Sequence, residues 1–142
     1  MFEKVWIFAL KEQLTTDALV DAETYIACFL KNWSSHGNEV QASFSVVDNQ
    51  IIVLTATPTG CAIDKMYREF SKNFDLIDEN QVVVEVGGKM EILDRSEFKT
   101  LFKNGKINNE SIVVDTSLST GEDLTNLGLK RKLGESWHSK LL

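Results

Sequence analysis

The chain predicts an α+β fold in which helices pack on an antiparallel sheet, and three observations carry that expectation. Strand and helix periods follow one another over residues 4–86 in the order strand, helix, strand, strand, helix, strand. The first and third of those strands are apolar on both alternating sets at least in part, whereas the second is apolar on one set only, which separates internal strands from an edge strand. At 142 residues, 43% hydrophobic and 25% charged, the chain suits one domain with a sizeable core. Together these predict a ferredoxin-like split βαβ half over residues 1–86, strand order 4-1-3-2, with a hairpin-and-helix extension over 87–142 packed on it.

Each element has its own justification. Residues 4–10 carry Val5, Ile7 and Ala9 on one set and Trp6, Phe8 and Leu10 on the other, the pattern of a strand covered on both faces. Thr15 or Thr16 then caps a helix in which Leu19, Ala22, Ile26, Phe29, Leu30 and Trp33 recur at three- and four-residue spacing, ending at 34–37. Val40, Ala42, Phe44 and Val46 alternate with Gln41, Ser43 and Ser45 as an edge strand. Asp48-Asn49-Gln50 turns the chain into a more central strand over 51–57. The helix after Cys61 aligns Ile63, Met66, Tyr67, Phe70 and Phe74, and Val82-Val83-Val84 begins the fourth strand.

Gly87-Gly88-Lys89 predicts a tight turn into a strand over 90–93, and 96–103 a short helix with Phe98, Leu101 and Phe102 inward. Ile112-Val113-Val114 is expected as the last strand, 117–122 as a polar loop, and 124–142 as a helix broken at Gly128 and Gly134. A first strand apolar on both sides requires a cover for its second face. The C-terminal third, with apolar residues of its own to bury, is the expected cover; a second copy of the chain in a homodimer is the alternative.

Composition excludes several partners. A net charge of −6 and a pI near 4.9 disfavour nucleic acid or an anionic membrane, and the short basic run Lys130-Arg131-Lys132 reads as a solvated helix end. No stretch approaches the ~20 apolar residues of a membrane span, and residues 1–10 lack the features of a signal peptide. Cys28 and Cys61 form neither a disulfide framework nor metal-type spacing, so a reduced, cytoplasmic chain is expected, with no metal and no cofactor. A zinc set of Cys28, His36, Cys61 and His138 has no two ligands closely spaced, with Cys28 in mid-helix. No G-x-x-x-x-G-K-[ST] occurs, including around Gly87-Gly88-Lys89.

The candidate site is Pro58-Thr59-Gly60-Cys61-Ala62-Ile63-Asp64, where the only proline and one of the two cysteines join an apolar strand to an amphipathic helix. A helix N-terminus favours a thiolate or a bound anion. The split βαβ path would bring the loops 33–37, 58–61 and 86–89 to one end, making His36, Ser34, Ser35, Cys61 and Asp64 neighbours. Cys61 and His36 then have the parts of a thiol–imidazole pair, with Asp64 one turn into the helix. Gly37, Thr59, Gly60 and Ala62 complete a candidate ligand-binding set with Ser34 and Ser35. A structural reading stands beside this one: Cys61 as a small residue filling a tight turn, His36 capping a helix C-terminus and Asp64 serving the dipole. Trp33 and Trp137 read as core or interface aromatics.

Trp33-x-x-His36-Gly37, Ala42-Ser43-Phe44, Ile52-Val53-Leu54, Gly60-Cys61-x-Ile63-Asp64, Phe98 with Gly105-Lys106-Ile107, and Ser136-Trp137-His138 resemble a family of short uncharacterised proteins of Bacteroidetes, along nearly the whole chain. Its members carry Ser-Gly-Cys-Ser-Ile-Asp, from which Thr59 and Ala62 depart conservatively; loss of the second hydroxyl weakens any binding role for it. Such proteins bear the label "ABC transporter ATPase", but this chain has neither a Walker A lysine nor a Leu-Ser-Gly-Gly-Gln signature. Residues 97–116 are also faintly similar to a GYF-type peptide-binding module. The expected function is recognition of a small anionic ligand or a partner at the His36/Cys61 end. The alternatives are a thiol-dependent enzyme with Cys61 as nucleophile and His36 as base, and an interaction protein with no ligand site.

Overall fold

A computed structural model describes residues 3–35, 38–57 and 60–142, and shows an α+β arrangement built on two principal antiparallel sheets. The first sheet holds β1 (Lys4–Ala9), followed in the chain by α1 (Thr16–Asn32). Thr15 caps α1, its hydroxyl accepting from the Ala18 N–H at 3.2 Å, with Asp17 and Lys31 placed to suit the dipole. The chain leaves α1 through a short ladder of β2 (Ser34–Ser35) and β3 (Asn38–Glu39), where a plain loop was expected. β4 (Ala42–Val47) and β5 (Ile51–Ala56) form the expected hairpin. Asp48 and Asn49 both take positive φ at its tip, the conformation that a two-residue turn matching strand twist requires. α2 (Gly60–Asn73) follows.

The order of this sheet is β1-β5-β4, with β5 central and buried along nearly its whole length. α1 and α2 pack on one face, where Ile26, Met66 and Phe70 meet Phe8, Ile52 and Leu54. Rings of Phe8, Tyr25, Phe29 and Phe74 all lie within 6.3 Å, centroid to centroid, of Phe70, which is fully buried.

The second sheet holds β6 (Gln81–Val86), β7 (Lys89–Asp94), β8 (Ile112–Val114) and β9 (Lys130–Lys132) in the order β7-β6-β8-β9. It covers the other face of the first sheet, Val83 and Val114 packing with Val5, Ala9, Ile51 and Val53. On its far side Val82, Val84 and Val113 pack with Phe98 of α3 (Arg95–Lys103) and with Leu133. Helices, sheet, sheet and helix are thus stacked as four layers.

The expected 4-1-3-2 sheet is therefore not formed. β1, β5 and β4 reproduce its 1-3-2 portion, but the fourth strand, β6, pairs with β7 and β8 instead of β1. Two causes act together. The Gly87-Gly88 turn, both residues at positive φ, closes β6 onto β7 with almost no loop to order. Val82, Val83 and Val84 are all buried, so β6 needs a layer on each face and finds them in the first sheet and α3.

The tail also differs from a broken helix. α4 (Gly121–Leu127) starts inside the expected polar loop, capped by the Thr120 hydroxyl, and Gly128 at positive φ ends it. Lys130-Arg131-Lys132 is a strand with alternating sides, not a helix end. Arg131 turns inward, while Lys130 reaches Asp48 and Glu85 and Lys132 reaches Glu110. Two turns of 3-10 helix, Leu133–Glu135 and Trp137–Leu141, finish the chain. No described helix is long and apolar enough to cross a membrane.

Candidate functional site: the Cys61 turn and the cleft along β1

At the start of α2 one buried hydrogen bond ties the residue after α1 to the helix, the Trp33 indole N–H donating to the Ala62 carbonyl at 3.0 Å. β2, with Ser34 and Ser35, lies beside α2. Ala62 is buried and Cys61 is exposed. Asp64 is exposed and makes no ion pair among the described residues. His36, Gly37 and Thr59 lie outside the described residues, and Gly60 is described through its backbone as the first residue of α2.

One loop is not at this end. Lys130 Nζ lies 2.5 Å from Asp48 and 3.6 Å from Glu85, which places the β6–β7 turn at the Asp48–Asn49 tip, across the sheet from Cys61. That turn was assigned to the Cys61 end only through the 4-1-3-2 sheet. Among the described residues no group of three or more His, Cys, Asp or Glu side chains is arranged to hold a metal ion, and Cys28 and Cys61 are both free thiols.

A concavity of about 1230 Å³ lies elsewhere, along the edge of β1 that β6 leaves uncovered. Its floor is Trp6, Ile7 and Phe8; one wall is the α2 stripe Ile63, Tyr67, Ser71 and Phe74. The facing wall is the segment Thr116–Thr120 with Trp137, and Asp75–Glu79 closes one end. Tyr67, 45% exposed, belongs to the apolar stripe of α2 yet faces this opening instead of the core.

A buried polar network fixes the Trp137 wall. Asp115, 1% exposed, accepts from Ser117 Oγ at 2.5 Å, from Ser117 N at 3.0 Å and from the Trp137 indole N–H at 3.0 Å, and pairs with the Arg131 guanidinium. Burial alone would raise the Asp115 carboxyl. The hydrogen bonds from Ser117 and Trp137, with the Arg131 charge, outweigh it and hold the group below the usual carboxylate range. His138, 1% exposed, stacks on Trp137 at 3.9 Å and shares a 2.6 Å hydrogen bond with Ser136 Oγ. Burial, aided by Arg131 and opposed by Asp115, lowers its pKa to about 4, so the ring is neutral at pH 7.

None of Asp115, Ser117, Arg131 or the cleft itself stood out in the sequence as functional. A polar residue directly after the apolar run Ile112-Val113-Val114 was the available signal for Asp115, and the middle arginine of an alternating strand the signal for its partner. Comparison with protein-family models, curated proteins and solved structures gives no match to this chain.

Proposed function

We propose that this is a binding protein whose ligand occupies the cleft along the open edge of β1. One observation carries the reading: a concavity of about 1230 Å³ coincides with a strand edge whose two ends are bonded and whose middle is not. The Val5 N–H donates to Ser119 O and the Gly121 N–H to Glu3 O at one end; the Ile77 N–H donates to Ala9 O and the Lys11 N–H to Asp75 O at the other. A ligand seated between them would meet aromatic walls and backbone donors and acceptors together, the mixture typical of binding clefts. The test is a fragment screen followed by amide chemical shifts. Hits should move Trp6–Ala9, Tyr67 and Trp137 and lose affinity in Tyr67→Glu; hits gathered at the start of α2 would sink the reading.

A second reading rests on the exposure of Cys61 in the first turn of α2, with β2 beside it. There the helix start would take a small anion, or Cys61 would act as a nucleophile with His36 as its base. In a Cys28→Ser background, iodoacetamide labelling faster than that of a model thiol, slowed by sulfate, supports it. Labelling at the model rate removes the enzyme form. Two exposed free thiols also fit the reducing, cytoplasmic setting expected from cysteine usage. The likeness to short Bacteroidetes proteins rests on the motif residues, and no nucleotide chemistry is proposed from their label.

A further inference from the structure

Bonding along β1 alternates: the Leu10 N–H donates inward to Gln50 O, while Val5, Ala9 and Lys11 use the outer edge. By strand periodicity Ile7 also presents its N–H and C=O outward. Among the described residues these two groups have no partner, nor do the Val5 C=O and the Ala9 N–H of the same edge. Two isolated antiparallel bridges, Lys4 to Thr120 and Leu10 to Leu76, bound this window.

We propose that this window receives a short extended peptide segment bearing lysine or arginine, added as a strand opposite Ile7, and the proposal rests on the cleft being the binding site. The backbone pattern selects the extended conformation, because groups spaced along a strand edge are matched by another strand. Charge selects the sequence. Glu3, Asp78 and Glu79 line the cleft and are exposed, as is Asp75, which lies 3.9 Å from Lys11 Nζ, against Lys4 as the one cation in the lining. Apolar side chains of the segment would alternate onto Trp6 and Tyr67 while its cationic ones reach that rim. A second copy of this chain is a poor occupant, since pairing two such edges would set one acidic rim against another in a protein of net charge −6. The bounded window limits the bonded segment to about three residues at strand rise.

The probe is a synthetic heptapeptide alternating lysine and valine, used with the full chain. Two controls accompany it: the same peptide N-methylated at alternate backbone nitrogens, and a glutamate-for-lysine counterpart. The lysine peptide should bind about tenfold more tightly than either control, the loss expected for two hydrogen bonds or for reversed charge. Amide exchange should slow at Ile7 and Ala9 on binding and stay unchanged at Leu10, whose N–H is already bonded. Asp78→Lys should weaken the lysine peptide and strengthen the glutamate one. Equal affinity for the N-methylated peptide, unchanged exchange at Ile7, or no binding of the lysine peptide overturns strand addition, while fragment hits in the cleft would leave the cleft reading standing. Peptide binding unaffected by Tyr67→Ala, which removes the aromatic wall without adding charge, would overturn both.

Discussion

His138 makes stability depend on pH in a window that few other groups share. It is 1% exposed, and burial lowers its pKa from 6.5 to about 4, so the unfolded chain takes up a proton at a pH where the folded chain refuses it. A depressed histidine costs nothing above its unfolded pKa and subtracts stability as pH falls. From the two values the loss is about 1 kcal/mol at pH 6, about 2 kcal/mol at pH 5 and about 3 kcal/mol at pH 4. Asp115 acts in a separate window, since a lowered carboxyl loses its contribution only as pH falls below its unfolded value of 3.8. Urea unfolding followed by far-ultraviolet circular dichroism at pH 8, 6 and 5 measures the slope. His138→Gln should flatten it, and His36→Gln, at the only other histidine, should not. Equal stability at pH 8 and pH 5, or a slope that survives in His138→Gln, would refute the assignment of a neutral buried imidazole.

Three further outcomes are expected. Phe70→Ala empties the centre of the aromatic cluster between the helices and β1, and should cost about 3–5 kcal/mol in urea unfolding. Asp115→Asn leaves the largely buried Arg131 cation without its carboxylate and should cost about 3–5 kcal/mol, with a shift of tryptophan emission as Trp137 loses a charged acceptor. Calorimetry with Mg-ATP and a phosphate-release assay should show neither tight binding nor turnover, because the chain lacks the lysine, hydroxyl and carboxylate spacing of a nucleotide cradle. Turnover abolished by Cys61→Ala or Asp64→Ala would reverse that expectation.

Much of the fold was legible because local signals and burial agreed. Thr15 caps α1, the Asp48–Asn49 and Gly87–Gly88 turns form, and β5 is internal while β4 lies at an edge, as their residue patterns required. The double-sided β1 announced a missing layer, and the second sheet supplies it. Pairing of β6 was not legible, since three consecutive valines state that a strand is covered on both faces but not which strands flank it. That one uncertainty propagated to the site. With β6 placed beside β1 the β1 edge was closed and the 86–89 turn was brought to Cys61; with β6 in the second sheet the edge opens into a cleft and the turn moves to the far tip. Arg131 was misread for a related reason, because three basic residues in a row look solvated until strand alternation turns the middle one inward.

The polar network and the cleft are parts of one construction. An Asp–Arg pair this buried adds little net stability over an apolar replacement of equal volume, so its effect is better sought in what it positions. Asp115 ends β8 and binds both Ser117 and Trp137, which line the cleft wall opposite α2. The segment after it is held out along that wall and returns to β1 only at Ser119–Gly121. An apolar side chain at position 115 would have no means of fixing the Trp137 indole or the Ser117 turn. The distance between the Thr116–Thr120 segment and the middle of β1 therefore depends on this charge, while the opposite wall depends on apolar packing of α2. Two walls held by different forces respond to different perturbations: acid that protonates Asp115 acts on the Trp137 side, whereas truncation of Met66 or Phe70 acts on the Tyr67 side.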